Sequence, residues 1–267
     1  MVPRHLFATA IQPEVAETAV FTSSDGLEER WVQVPVEEGK TLPAYAASPL
    51  GTKGPFPTVL VVQEIFGVHE YIKDVARRLA QLGYLALAPE LYFRCGDPSK
   101  APDFEALQTN FVNKTPDSAV MSDLDATVGW AASRGGDPSR LGIVGFCWGG
   151  RIAWLYAAHQ PALKAAVAWY GRLSGFSTPT NPRHPLDVSD SLLAPVLGLY
   201  GGADAAIPPT DVDKFRSALE AADSPSKVVV YPEAGHAFHA DYRQSYRPAD
   251  AADGWARMLA WFSENGV

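Results

Sequence analysis

The stretch Gly145-Phe146-Cys147-Trp148-Gly149-Gly150 places a thiol between closely spaced glycines. The apolar run 141–144 before it predicts a strand, and residues 151–158 after it predict a helix. A strand, a sharp turn and a helix present a nucleophile at the turn, as in the motif G-x-S-x-G, here with Cys in place of Ser. Glycines fit such a turn because its backbone is strained and its neighbours approach closely. The sequence therefore predicts an elbow that presents Cys147 as a nucleophile.

Composition limits the class of protein and its partners. The 267 residues are 47% apolar and 19% charged, as expected for a folded globular protein. The net charge of -8 disfavours nucleic acid and anionic membrane surfaces as partners, which leaves a small molecule as the expected substrate. No apolar run approaches the length of a membrane span. The oligomeric state stays open.

The two cysteines and the N-terminal stretch indicate a compartment. Cys95 and Cys147 are the only cysteines, and a thiol on an elbow is poorly placed for a disulfide. A reducing environment fits this usage best. The first 19 residues lack the continuous apolar region of a signal peptide, because that stretch is interrupted by Arg4, His5, Gln12, Pro13 and Glu14. We expect a cytoplasmic protein.

The order of predicted elements indicates an α/β fold in one domain. Residues 1–27 show no sustained period and are expected to form an N-terminal extension, on the surface or as a mobile tail, before a single domain over 28–267. Two strands joined by a turn at 37–40 predict an antiparallel hairpin. Strands and helices then alternate, which is typical of a mostly parallel sheet with helices on both faces. The predicted strands are 31–36, 42–47, 58–63, 84–88, 141–144, 164–169, 196–200 and 227–231, and the predicted helices are 69–82, 116–133, 151–158, 211–222 and 250–262.

Two residues after later strands complete a possible catalytic triad. Asp204 follows the strand at 196–200 and His236 follows the strand at 227–231. Nucleophile, acid and histidine occur in that chain order in the α/β-hydrolase arrangement. His236 would take the thiol proton, and Asp204 would hold the imidazole in the correct tautomer. The position of Cys147 at a helix N-terminus also favours a thiolate.

The tetrahedral intermediate of such a reaction requires two hydrogen-bond donors for its oxyanion. The backbone N–H of Trp148, directly after the nucleophile, is one expected donor. The N–H of Ile65, in the loop after an early strand, is the other.

Structural interpretations compete with these catalytic ones. Cys147 could be a core residue, Asp204 a turn or cap residue, and His236 a satisfied loop histidine. Their joint order and context favour catalysis. The other histidines are scattered, and the pair His236 and His239 lacks the spacing of helical metal ligands, so no metal is predicted. No nucleotide cofactor is predicted either, because neither G-x-G-x-x-G nor a P-loop lysine occurs.

Four segments together carry a resemblance to a known family: Gln-Glu-Ile-Phe-Gly at 63–67, Ala-Pro-Glu-Leu-Tyr-Phe-Arg at 88–94, the Cys147 elbow, and Glu-Ala-Gly-His-Ala-Phe at 233–238. From about residue 28 onward the chain resembles the dienelactone hydrolases, or carboxymethylenebutenolidases, which are α/β-hydrolases that open enol-lactones with a cysteine. The resemblance implies cleavage of an ester or lactone, and a cysteine nucleophile implies a thioester acyl-enzyme.

The resemblance also implies roles for residues outside the triad. Glu64 would contact the thiol and help to activate it when substrate binds. Arg94 would meet both this glutamate and a substrate carboxylate, and Tyr170 would line the pocket. A solvated loop acid, an exposed arginine and a core aromatic are the respective alternatives. Where the family has a second arginine this chain has Ala240, with Arg243 close but out of register, so we expect carboxylate recognition to be weaker or differently built.

Three functions stay open at this stage. Hydrolysis of a small ester or lactone agrees best with the residues. A broad-specificity carboxylesterase or an acyltransferase would use the same nucleophile and oxyanion donors. A non-catalytic binding protein on this fold would be expected to lack a triad residue, and this chain has all three.

Overall fold

A computed structural model describes residues 17–267, apart from the side chain of residue 38. Most of the predicted N-terminal extension, residues 1–16, lies outside the described residues. Residues 17–26 contact the folded domain: Thr22 N–H donates to Asp74 at 2.5 Å, and the Thr18 hydroxyl donates to the carbonyl of Asp241 at 2.5 Å.

Within residues 17–267, eight strands form one sheet in the order β1-β2-β4-β3-β5-β6-β7-β8. Strand β2 runs antiparallel to both of its neighbours, and the pairs from β4 to β8 are parallel. The predicted hairpin and the mostly parallel sheet are therefore confirmed. The strands are β1 Leu27–Pro35, β2 Thr41–Pro49, β3 Phe56–Val62, β4 Leu85–Pro89, β5 Gly136–Phe146, β6 Leu163–Trp169, β7 Val196–Gly201 and β8 Lys227–Tyr231.

Helices cover both faces of the sheet, and five of the six in the described chain agree with the predicted ones to within three residues at each end. They are α1 Glu70–Gln81, α2 Phe104–Asn110, α3 Asp117–Ala132, α4 Trp148–Ala157, α5 Pro209–Ala221 and α6 Pro248–Glu264. Helix α2 was not predicted because it is too short to show a clear period. Its start is marked by Asp103, whose carboxylate accepts the N–H of Ala106 at 2.7 Å.

The central strands are apolar and buried on both faces, which explains their continuous rather than alternating hydrophobicity. Four consecutive residues of β3, at 59–62, are fully buried, and so are Ile143 and Val144 of β5. The parallel strands all point their carboxyl ends to one edge of the sheet. The loops at this edge carry the predicted site residues.

Candidate active site

The elbow between β5 and α4 holds Cys147 in a strained conformation. Cys147 has φ 54° and ψ -112°, a left-handed region that costs energy for any residue other than glycine. A side chain on Gly149 would place its Cβ 2.5 Å from the carbonyl oxygens of Val62 and Gln63, and one on Gly145 would collide with the carbonyl of Gly149. Both flanking glycines are required by close approach, as the sequence predicts.

Cys147, His236 and Asp204 form one hydrogen-bonded line, which we call the triad cluster. His236 Nε2 lies 3.2 Å from Cys147 Sγ, and His236 Nδ1 lies 2.7 Å from Asp204 Oδ2. The other oxygen of Asp204 accepts the backbone N–H of Ala206 at 2.8 Å and of Ile207 at 3.3 Å. Because both carboxylate oxygens have partners, the carboxylate orients the imidazole toward the sulfur.

The electrostatics of His236 agree with a thiolate–imidazolium pair. Burial acts to lower the pKa of His236. The charge of a Cys147 thiolate and the hydrogen bond to Asp204 outweigh burial and raise this pKa to about 10. The imidazole of His236 therefore holds a proton readily beside the sulfur of Cys147.

The two predicted oxyanion donors lie on segments that touch. Trp148 is the first residue of α4, where N–H groups have no acceptor within the helix. Ile65 follows β3 in the segment 63–68, which we call the oxyanion loop. The contacts of Gly149 with the carbonyls of Val62 and Gln63 hold the start of α4 against the beginning of this loop. This contact brings the two backbone segments together beside the elbow.

Glu64 is fully buried at the centre of a second group of polar residues, the glutamate cluster, formed with His69, Tyr242 and Arg243. Tyr242 donates its hydroxyl to Glu64 Oε2 at 2.6 Å, and His69 Nε2 lies 3.3 Å from the same oxygen. Glu64 Oε1 has no hydrogen-bond partner in the described chain. No hydrogen bond joins Glu64 to Cys147 among the described residues, so the predicted contact with the thiol stays a prediction.

Charge and hydrogen bonding keep Glu64 ionised despite its burial. Burial acts to raise the pKa of Glu64, but the hydrogen bonds of His69 and Tyr242 and the charge of Arg243 lower it below its usual range. Burial also lowers the pKa of His69. His69 is therefore neutral near neutral pH and donates one N–H to the carboxylate.

Arg94 pairs with a carboxylate on α3. Its guanidinium pairs with Asp123 through two hydrogen bonds of 2.5 and 2.8 Å and lies over the ring of Phe93. The expected contact between Arg94 and Glu64 is absent, because Glu64 Oε2 is bound by Tyr242 and His69, and Oε1 has no partner among the described residues. A bidentate partner on α3 fixes the arginine in this position. Its predicted role in substrate binding stays a prediction.

Arg243 is an arginine whose charge does act on Glu64. Two successive turns, with Ala240 N–H donating to Ala237 and Arg243 N–H donating to Ala240, carry it around from His236. Burial acts to lower the pKa of Arg243, but the negative charge of Glu64 outweighs burial and raises this pKa. No described carboxylate lies within ion-pair distance of this partly buried guanidinium. Ala240 is fully buried, and the expectation that carboxylate recognition is weaker or differently built stays a prediction.

Aromatic side chains form the floor beneath His236. Tyr170 is fully buried, and its backbone has a positive φ of 39°. Its ring meets the imidazole of His236 edge-on, with ring centroids 5.3 Å apart. The hydroxyl of Tyr170 and that of Tyr92 are buried without a hydrogen-bond partner in the described chain. Tyr92 packs against Trp148 with ring centroids 5.1 Å apart. Both hydroxyls therefore lie in the surroundings of the elbow.

Sequence reasoning missed three members of the glutamate cluster or left them unassigned. Tyr242 and Glu64 are 178 residues apart, and no local motif indicates their contact. His69 was predicted only as the start of a helix, and Arg243 only as out of register. Their one shared signal is closeness in sequence to a site residue: His69 follows the oxyanion loop, and Tyr242 and Arg243 follow His236.

Comparisons with known proteins identify the family of this chain. The chain belongs to the dienelactone hydrolase family, whose model matches residues 42–266. It is 58% identical over 262 residues to a Methylorubrum extorquens protein named "Putative carboxymethylenebutenolidase", which covers 98% of this chain and 89% of that one. A Bradyrhizobium protein named "Probable 2-oxo-3-(5-oxofuran-2-ylidene)propanoate lactonase" is 36% identical over 239 residues, covering 86% of this chain and 92% of its own.

A solved structure gives the same result for the fold. The crystal structure of a "Putative Dienelactone Hydrolase" from Klebsiella pneumoniae matches with a TM-score of 0.87 and 57% identity, covering 89% of this chain and 99% of that one. The resemblance and the α/β-hydrolase fold are thereby confirmed, and the protein is a hydrolase of this family. Across residues 17–267, no helix has the length and apolarity needed to cross a membrane.

Proposed function

We propose that the protein cleaves ester or lactone bonds of small molecules through a Cys-His-Asp triad and a thioester acyl-enzyme. The observation that carries this proposal is the line from Cys147 Sγ through His236 to Asp204, with distances of 3.2 and 2.7 Å, at a strained elbow. A buried structural cysteine requires neither the strain nor the imidazole. Both are what an attacking thiolate uses.

In the first half of the reaction the Cys147 thiolate attacks the carbonyl carbon of the substrate. A C–S bond forms and the carbonyl electrons move onto oxygen, where the N–H groups of Trp148 and Ile65 would stabilise the charge. Collapse of this intermediate breaks the C–O bond, and the leaving alkoxide takes the proton held by His236. In a lactone the alcohol stays attached to the acyl chain.

In the second half a water molecule gives a proton to His236 and attacks the thioester. The new intermediate collapses with cleavage of the C–S bond, which regenerates the thiolate and the imidazolium. Asp204 stabilises the imidazolium in both halves.

We further infer that the substrate carries a carboxylate. Arg243 has no carboxylate partner within ion-pair distance among residues 17–267, and its charge acts on both Glu64 and Cys147. A guanidinium in this state is suited to bind a carboxylate through two parallel hydrogen bonds. The Bradyrhizobium relative is named as a lactonase that acts on a propanoate, which is a carboxylate, and this name agrees with such a substrate. A small anionic substrate, a reducing cytoplasmic location and no nucleic-acid or membrane partner together form one consistent proposal.

The decisive experiment compares the two cysteines. Cys147→Ala is expected to lower kcat/KM for p-nitrophenyl acetate and for a simple lactone by about 10⁴-fold or more, as loss of a nucleophile does. Cys95→Ala is the matched control, because Cys95 is the other free thiol and lies outside the triad cluster. Intact-mass spectrometry of wild type mixed with p-nitrophenyl acetate should show an added acetyl group. Mass spectrometry of its peptides should locate this group on Cys147.

Two outcomes would contradict the proposal: turnover by Cys147→Ala at the wild-type rate, or acetylation of Cys95 alone. Adding an alcohol or a thiol as competing acceptor separates hydrolysis from acyl transfer. Release of free acid in the presence of the acceptor supports hydrolysis, and quantitative transfer to the acceptor would contradict it.

A further inference from the structure

The oxyanion loop is tied to the segment after β4 by reciprocal hydrogen bonds. Gln63 Oε1 accepts the backbone N–H of Leu91 at 3.2 Å, so a loop side chain binds the other segment. In the opposite direction, Glu90 Oε2 accepts the backbone N–H of Val68 at 2.7 Å, at the far end of the loop. Both ends of the loop that carries Glu64 and Ile65 are therefore fixed to one short segment.

The carboxylate of Glu90 lies directly against the backbone of the loop. Gly67 has φ 77°, and a Cβ at this position would lie 2.8 and 3.1 Å from the two carboxylate oxygens of Glu90 and 2.7 Å from Pro98 Cγ. Only glycine allows this approach, because a Cβ has no room there and the backbone angle favours its absence. The loop and Glu90 thus pack as one unit.

The surroundings of Glu90 provide donors but no opposite charge. No cation of the described chain lies within ion-pair distance of it. The groups that face it are the N–H groups of Val68 and Tyr92, the Gln63 side chain, and the carboxylate of Asp97. Burial raises the pKa of Glu90 to about 7, helped by the charge of Asp97, although the donors favour the ionised form. Its charge therefore changes near neutral pH.

We propose that Glu90 is a positioning residue whose ionised carboxylate holds the oxyanion loop in its active conformation, and that protonation of Glu90 loosens this loop and slows the reaction. The inference rests on the proposed function, because Ile65 matters only if an oxyanion forms. A hydrogen bond to a carboxylate is roughly twice as strong as one to a neutral carbonyl. Protonation therefore weakens the bond to Val68 without removing it.

The test is Glu90→Gln, which keeps an acceptor for Val68 but cannot ionise. We expect kcat for p-nitrophenyl acetate to fall about tenfold above pH 8, which is less than the roughly 10²- to 10³-fold loss that follows removal of an oxyanion donor. KM should stay within about twofold, and the decline of kcat below about pH 7 should disappear, since no titrating group remains at this position. Glu220→Gln, an exposed carboxylate on α5, is the matched control and should behave as wild type.

Either of two kinetic results would overturn the inference: wild-type kcat and pH profile in Glu90→Gln, or an equal loss of kcat at every pH with the acid limb intact. A fall in melting temperature with unchanged kcat per folded molecule would assign Glu90 a purely structural role and also contradict it.

A measurement on the wild type keeps the test valid if the variant does not fold. The backbone amide resonance of Val68, followed by NMR against pH, should shift with a midpoint near pH 7, because its acceptor loses charge there. A flat Val68 titration would refute the inference. Because this readout needs no turnover, an inactive but titrating protein would refute the proposed function while leaving the loop contact intact.

Discussion

The triad cluster and the glutamate cluster lie at the same edge of the sheet but differ in how their polar groups are paired. In the triad cluster each polar atom named above has a partner, down to the second oxygen of Asp204. In the glutamate cluster Glu64 Oε1 has no hydrogen-bond partner, and Arg243 has no carboxylate within ion-pair distance, in the described chain.

This difference indicates two kinds of task. A paired line of groups performs the same proton transfers on any acyl group, because its geometry does not depend on the substrate. Unpaired buried groups cost free energy in the folded protein, so they are retained where a substrate or an intermediate completes them. The triad cluster should therefore determine the rate for all substrates, and the glutamate cluster should determine which substrates react fast.

The largest effect is expected in the triad cluster. Asp204→Asn keeps the shape of the side chain but no longer stabilises imidazolium, so kcat should fall by about 10³- to 10⁴-fold for neutral and anionic esters alike. Steady-state kinetics on p-nitrophenyl acetate and on p-nitrophenyl succinate would check this. Asp213→Asn, an exposed residue of α5, is the control. A loss confined to the anionic ester would remove the distinction between the clusters.

An intermediate effect, selective for the substrate, is expected at Arg243. Arg243→Gln should lower kcat/KM for p-nitrophenyl succinate by about tenfold to a hundredfold, the value of hydrogen bonds to a charged group, and change it little for p-nitrophenyl acetate. Arg247→Gln is the matched control, because Arg247 lies on the same segment but pairs with Asp250 in an exposed position. An equal loss on both esters would show that Arg243 does not select for a carboxylate.

The smallest effect is expected from Tyr242→Phe, which removes one donor from Glu64. The hydrogen bond of Tyr242 lowers the pKa of Glu64, so its loss raises that pKa, and any step that needs ionised Glu64 should then fail at a higher pH than in wild type. We expect kcat to fall about fivefold to tenfold, the value of an ordinary hydrogen bond of about 1 kcal/mol, because His69 remains as a donor to Glu64. Tyr246→Phe, on the same segment, is the control. A pH profile that moves to lower pH would contradict the sign.

Elements governed by local sequence could be predicted well. Strands β3, β5 and β6 each contain an apolar run, at 59–62, 141–144 and 165–169. The elbow follows from Gly145 and Gly149 because the contacts that exclude a Cβ lie within a few residues of the turn or on the adjacent strand end. Asp204 and His236 directly follow strands, and parallel strands end at the same edge of the sheet. Chain order alone was therefore enough to predict that they meet Cys147.

The arginines were harder because their side chains are long and take partners from distant segments. Arg94 lies in a segment that matches the family, but Asp123 on α3 binds its guanidinium at 2.5 and 2.8 Å. Arg243 is out of register with the family arginine, but two consecutive turns after His236 bring its charge into the site. A match in sequence position fixes where an arginine lies along the chain. It does not fix where the guanidinium lies in space, because a long side chain can reach the same point from several positions.

The sequence by itself therefore determined the elbow, the order of the triad and the family, because each depends on backbone geometry set by neighbouring residues. The tertiary structure alone decided which groups surround Glu64, since its contact with Tyr242 joins residues 178 positions apart in the sequence. It also decided which arginine acts electrostatically on Glu64 and Cys147. Short-range sterics specify the conformation of the Cys147 elbow, and long-range packing specifies which side chains surround it.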